Sequence, residues 1–376
     1  MDERALAERL ITYDTSTADG IRTAAGFVKG WLDSMELDVQ HLAFHGLPVL
    51  TATVGDSAPD VPTVILHGHI DVVPGFAEQF VPRVEGERLI GRGAYDMKGG
   101  LAAIMCALRD LKDLRGARVH FVCAPDEESE DFDQHATDDL VERGLSADFA
   151  ITGEPTDLHV GVQAKGVLMI RMAVHGRAAH GSTPWLGDNA ILKAVDVFRM
   201  IETMPFAAES TEMFDRPSIN LGRLAAGDAV NKVPDEAVMA IDIRFLPGQE
   251  PGAILEQIRA IAGVEVVKTF IRPPAHVSRA NPYVMALCGA VREAGQSGAM
   301  SVGRDGASDA ISFLQAGVPA VEFGPIGGGH HGPEEWVSIP SLALYKEALV
   351  RFMRGLPQTL EAPGEPGLRA VEGGLA

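Results

Sequence analysis

The sequence predicts an α/β fold. It consists of a mixed, mostly parallel sheet interrupted by a smaller, inserted ferredoxin-like α+β domain. Three observations predict this. Short apolar runs alternate with helical patterns over the first 150 or so residues, as crossover connections in a parallel sheet require. Residues 167–271 then follow the order β-α-β-β-α-β of a split βαβ unit. From residue 281 the first kind of alternation resumes, so the second pattern is an insertion and not a separate tail domain.

Taken in order, residues 3–13 and 20–34 space their apolar side chains three and four apart and read as helices. Strands follow at 37–44, 48–54 and 62–67. Gly91–Asp96 is a loop and Lys98–Leu114 a helix; Arg118–Cys123 is a strand, residues 137–144 a helix and Asp148–Thr152 a strand. In the insert, Val167–Val174, Pro217–Arg223, Val238–Phe245 and Val264–Ile271 are strands, with helices at Asn189–Met204 and Gly252–Ala262. Beyond it come a helix (281–295), a strand (300–303), a helix (308–315), a strand (318–323), a Gly-rich loop and a last helix (340–354). The expected domains are therefore 1–163 with 274–354, and 164–273, followed by a Gly-, Pro- and Glu-rich tail at 355–376 expected to be mobile.

Composition narrows the function classes. A length of 376 residues with 46% hydrophobic and 22% charged residues suits two globular domains. A net charge of −20 argues against nucleic acid or an anionic membrane as partner, since both select a basic patch. No apolar run reaches the length of a membrane span, and Met1-Asp2-Glu3-Arg4 lacks the pattern of a secretory signal, so a cytoplasmic location is expected. Cys106, Cys123 and Cys288 are odd in number, far apart and set in apolar stretches, which predicts buried reduced thiols.

The polar residues gather where strands end. Thr63–Leu66 runs into His67-Gly68-His69-Ile70-Asp71, and a His-x-Asp at a strand's carboxyl end suits a metal, the carboxylate fixing the ring's tautomer. Pro125-Asp126-Glu127-Glu128 and Gly153-Glu154-Pro155 follow two later strands. Gly91-x-Gly93 lacks a full dinucleotide fingerprint, and no Lys-Ser/Thr follows Gly327-Gly328-Gly329, so neither reads as a phosphate loop. No Gly-x-Ser-x-Gly is present, and Ser308 has no neighbouring base in sequence.

His67–Pro74, Gly91–Gly100, Asp126–Glu128, Gly153–Thr156 and His331–Val337, in that order, resemble the M20 family of metallopeptidases and amidohydrolases. The resemblance covers residues 1–354 and implies a catalytic main domain with the insert as lid and dimerisation domain. It implies two divalent metal ions, zinc by the nitrogen-and-oxygen donor set, with cobalt or manganese as substitutes. Asp96 is the implied bridging ligand, with His69 and Glu154 on one ion and Glu128 and His331 on the other. His67 competes with His69, and His330 with His331; Glu335 and Val337, four and six residues on, favour His331. Glu127 is the implied general base, and Asp71 the partner that holds His69.

Within the insert, the resemblance implies that His180 reaches a neighbouring subunit's site and stabilises the oxyanion, so a homodimer is expected. Asn231 and Arg244 match substrate-binding positions, Arg244 suiting a carboxylate by bidentate pairing. Gly306 and Ser308 match a stretch lining the substrate cleft; Ser308 also suits a helix cap. The acids Glu130 and Asp131 depart from the family's small residue after the paired acids. The activity implied is hydrolysis of the amide of a small N-acyl amino acid, of the deacetylase or desuccinylase type. An exo-carboxypeptidase or dipeptidase is the alternative, and a silent binding protein of the same fold a more distant one.

Overall fold

Thr63-Val64-Ile65-Leu66 is a strand, as its β-formers predict, and the strand runs on to His69 with every residue buried. It is flanked in parallel by Arg118–Ala124 and Phe149–Thr152, with Ala320–Glu322 parallel beyond. These four form the centre of a nine-stranded mixed sheet; antiparallel Leu47–Gly55 and Val39–Phe44 extend one side. The structure, a computed structural model, describes residues 1–129, 134–296, 298 and 301–361. The register sets His69 beside Ala124 and His67 beside Thr152, so the segments 125–128 and 153–154 leave the sheet at one edge.

Helix Gly99–Asp110 packs under this edge with all its residues from Gly99 to Leu108 buried, a continuous apolar run lying among Leu6, Leu10, Leu66, Val337 and Tyr345. Each large side chain there contributes about 1.5–3 kcal/mol through removal from water. The last helix, Ile339–Glu361, covers the same side; it runs past residue 354, where the expected helix ends, and holds Pro357 within it. Residues 362–376 of the expected tail lie outside the described residues.

The insert is a four-stranded antiparallel sheet in the order Ser218–Ala226, Glu236–Phe245, Gly166–His175, Val264–Arg272. Alternate residues of Glu236–Phe245 are buried, and helices Ala190–Glu202 and Pro251–Arg259 close a second apolar core with Leu168, Met172, Ile241 and Phe245. The chain crosses between the two sheets by paired strands: Ala164 faces Ala275 in the large sheet, and Val167 faces Arg272 in the small one.

A third sheet was not foreseen. Arg83–Glu85, Arg88–Ile90, Trp336–Ser338 and Gly327–Gly328 pair antiparallel in strands of two or three residues, too short to show alternation in sequence. This sheet draws the loop of His330 and His331 to the Gly91–Asp96 segment; Gly91 N donates to Glu335 O at 2.9 Å. Among the described residues no helix is long and apolar enough to cross a membrane. Cys106 and Cys123 are buried free thiols, as expected, whereas Cys288 is partly exposed.

Candidate metal centre

The carboxyl edge of the large sheet gathers imidazoles and carboxylates from five separate segments. His69 Nε2 lies 3.1 Å from Asp96 Oδ1 and 3.8 Å from Glu154 Oε1. On the far side of Asp96, His331 Nε2 lies 3.4 Å from Oδ2 and 3.0 Å from Glu128 Oε1. His330 Nε2 approaches Asp96 Oδ2 more closely still. Asp96 therefore stands between two groups of potential ligands, each within the span of one ion: His69, Asp96 and Glu154, and Asp96, His330 and His331. Both of the adjacent imidazoles reach the carboxylate, so the alternative between His330 and His331 stays open. His67 is turned to a different network, with Nε2 3.0 Å from Thr137 Oγ1 and 3.2 Å from Asp309 Oδ2.

Outer partners hold these groups in place. His69 Nδ1 lies 3.1 Å from the backbone carbonyl of Asp71 and 3.4 Å from its Oδ1; Asp71 Oδ2 accepts from Glu128 N at 2.9 Å. The nearer partner of the ring is thus the Asp71 backbone, and its carboxylate also ties in the Glu128 loop. Glu335 Oε1 accepts from both Tyr95 N and Asp96 N at 3.0 Å. Its Oε2 receives Arg92 Nη1 at 2.8 Å in a buried ion pair, and Arg92 Nη2 donates to His331 O at 3.1 Å. The Glu four residues after His331 is thereby the strut that joins both sides of the centre.

Close approach explains the glycines of Lys98-Gly99-Gly100. A Cβ on Gly100 would lie 2.6 Å from Gly153 O, and one on Gly99 2.4 Å from Ala94 O. Only glycine lets the start of the helix touch the turn that carries Glu154.

The side chains by themselves carry more negative charge than they can neutralise. Burial pushes the Glu127 and Glu154 carboxyls well above the usual range, and their carboxylate neighbours, Glu154 and Glu128 for Glu127 and Asp96 for Glu154, push the same way. For Asp96, burial is overcome by hydrogen bonds from His330, His331 and His69, which hold it well below the usual range. The His331 imidazole is pushed up to about 10 by Asp96 and Glu128. Glu154 Oε1 is buried beside His69 without a hydrogen-bond partner. An orphaned carboxylate oxygen among imidazoles and carboxylates suits a divalent cation, and the two groups that share Asp96 fit one such ion each.

The remaining expected residues lie elsewhere. His180 is exposed on the insert, its Nδ1 2.7 Å from Ser182 Oγ, and no hydrogen bond or ion pair links it to the cluster within one chain. Asn231 adjoins it, accepting from Gly181 N at 2.7 Å. Arg244 is paired with Asp242 on its own strand at 3.0 Å. Gly306 is exposed; Ser308 is buried, accepts from Ala310 N at 3.3 Å and donates to Glu322 Oε1 at 2.8 Å. Glu130 and Asp131 lie outside the described residues. Sequence reasoning missed the Arg304–Glu322 ion pair (3.1 Å) beside Glu154, and the Asp309 network. Their signal was present only as isolated charges in apolar strands and at a helix start.

Residues 65–355 match the model of peptidase family M20/M25/M40. A succinyl-diaminopimelate desuccinylase of Gluconobacter oxydans is 30% identical over 94% of this chain and 97% of its own. Two solved structures share the fold: a Staphylococcus aureus tripeptidase (TM-score 0.78, 22% identity, 95% of this chain and 98% of that one) and an M20 family metallo-carboxypeptidase of Sulfolobus solfataricus (TM-score 0.78, 20% identity, 95% and 100%). Matched by that family's model over most of its length, the chain belongs to peptidase family M20/M25/M40 and is a hydrolase.

Proposed function

We propose that this protein is a deacylase of small N-acyl amino acids that works with two divalent ions, zinc by the donor set. Asp96 would be shared by both ions, with His69 and Glu154 holding one and Glu128 and His331 the other. The ions, when bound, supply Lewis acidity toward the amide carbonyl and lower the pKa of water. Glu127 takes the proton of the attacking water and passes it to the leaving amine. His180 of a second copy of the chain hydrogen-bonds the oxyanion, and Asn231, Arg244, Gly306 and Ser308 contribute to the substrate's surroundings when the insert closes.

One observation carries this reading: Asp96 stands within reach of His69 and Glu154 on one side and of His331 on the other. The similarity over almost the full length to a desuccinylase supports the acyl class of substrate. The S. solfataricus carboxypeptidase favours the second reading, an exo-carboxypeptidase or dipeptidase. A panel of N-succinyl and N-acetyl amino acids set against dipeptides separates the two. Glu127→Ala is expected to lower turnover by about a hundredfold or more while two metal equivalents stay bound by elemental analysis. Preserved turnover rejects the assignment.

A further inference from the structure

Glu127 sits between two clamped neighbours. On one side Glu128 N donates to Asp71 Oδ2 at 2.9 Å. On the other, the Asp126 carboxylate accepts from Ala136 N at 3.0 and 3.2 Å, closing the loop onto the start of helix Ala136–Glu142. That helix start is gripped twice. His135 Nδ1 and Thr137 Oγ1 bond the buried Asp309 carboxylate, which also meets His67. Asp138 Oδ2 accepts from His135 N at 2.9 Å and, with the same oxygen, from Arg272 Nη2 at 3.2 Å. Arg272 is the last residue of the insert's strand Val264–Arg272. Pro273-Pro274 and then Ala275, paired with Ala164 of the large sheet, follow. The two side chains are only 12% and 20% exposed, so the pair is shielded more than a surface ion pair.

We propose that Arg272 is a positioning residue that fixes the Glu127 loop from the hinge of the insert, through Asp138 and the start of helix Ala136–Glu142. The inference rests on Glu127 being the general base. Arg272 belongs to the insert's sheet, whereas Asp138 and His135 are tied through the Asp126–Ala136 hydrogen bonds to the residue next to Glu127. A displacement of the insert about Pro273-Pro274 therefore pulls on the oxygen that caps the helix, and the Asp126–Ala136 bond passes the pull to the residue next to Glu127. The hinge and the base are one mechanical unit, and Glu127 is held best when Arg272 is in register with Asp138.

The test is amide hydrogen exchange on the full-length, metal-loaded protein, which needs no substrate. Arg272→Gln and Asp138→Asn should each speed exchange at the Ala136 and Glu128 amides by about tenfold, leaving exchange in helix Gly99–Asp110 unchanged. The double variant should exchange no faster than either single one. With N-succinyl-L,L-diaminopimelate as probe, Arg272→Gln should lower kcat about tenfold and leave KM unchanged, since it misplaces a group and removes no substrate contact. Unchanged exchange at Ala136 and Glu128, additive effects in the double variant, or faster exchange with unchanged kcat each overturns the proposal. Turnover by Glu127→Ala would instead reject the base assignment, while the exchange measurement still decides whether hinge and loop are linked.

Discussion

Glu335 shows how much of the centre depends on a residue that never meets a metal. One oxygen accepts two backbone N–H groups at Tyr95 and Asp96, and the other neutralises the buried Arg92. Glu335→Gln keeps the shape but leaves the Arg92 charge unpaired. We expect it to cost about 3–5 kcal/mol in urea unfolding and to weaken metal binding by about 10–100-fold in competition with a chelator. Asp309 sets a pH dependence of another kind. Its carboxyl is opposed by burial, yet hydrogen bonds from His135 and His67 hold it well below the usual range. His135 is pushed down by burial and more strongly up by Asp309, with Asp126 adding to the rise and Arg272 opposing it. The depressed Asp309 contributes stability above its unfolded pKa of about 3.9, lost as pH falls through its folded value. The raised His135 contributes below its unfolded pKa of about 6.5, lost as pH rises through its folded value. Asp309→Asn should therefore destabilise more at pH 5.5 than at pH 8.5. An equal loss at both values would show that the pair does not titrate as described.

Among the elements, helix Gly99–Asp110 has the strictest demands, because its first turn lies against the turn before Glu154. A methyl group on Gly100 must displace a backbone carbonyl, not a pliable side chain. Gly100→Ala is expected to cost about 1–3 kcal/mol in thermal or urea unfolding and to lower affinity for one of two metal equivalents, since Glu154 moves with Gly153. Loss of both equivalents together would mean that the helix supports the centre as a whole. Asp71 and Glu128 belong to different strand ends and are joined by one hydrogen bond, so the parallel register of the central strands also sets the distance between ligand groups.

At the scale of the molecule, His180 and Asn231 are exposed together on the insert, joined through Gly181. Trp185 and Leu192 of the same domain are 75% and 63% exposed. The proposed contribution of His180 to catalysis comes from a second copy of the chain. Sedimentation at micromolar concentration should give a dimer. Mixing His180→Ala with Glu127→Ala should restore part of the activity, because one site in each mixed dimer then has both groups. A monomer with full activity would remove His180 from the reaction.

The motifs made the family and the main groups legible in sequence because catalytic chemistry fixes residue types: acids and imidazoles at strand ends have few other uses. The central strands and the insert were legible because apolar periodicity reports which face is buried. The sheet built from Arg83–Ile90 and Gly327–Ser338 was not, since its strands are too short to carry a period. Nor did local pattern reveal that Glu335 spans to Asp96, that His330 reaches the same carboxylate as His331, or that His67 turns toward Asp309. The motifs alone were enough to place the chain in its family and hydrolase class. Which neighbour each charged group finds came from the folded chain, because pairings such as that of Arg92 with Glu335, 243 positions apart, form through packing that no local window contains.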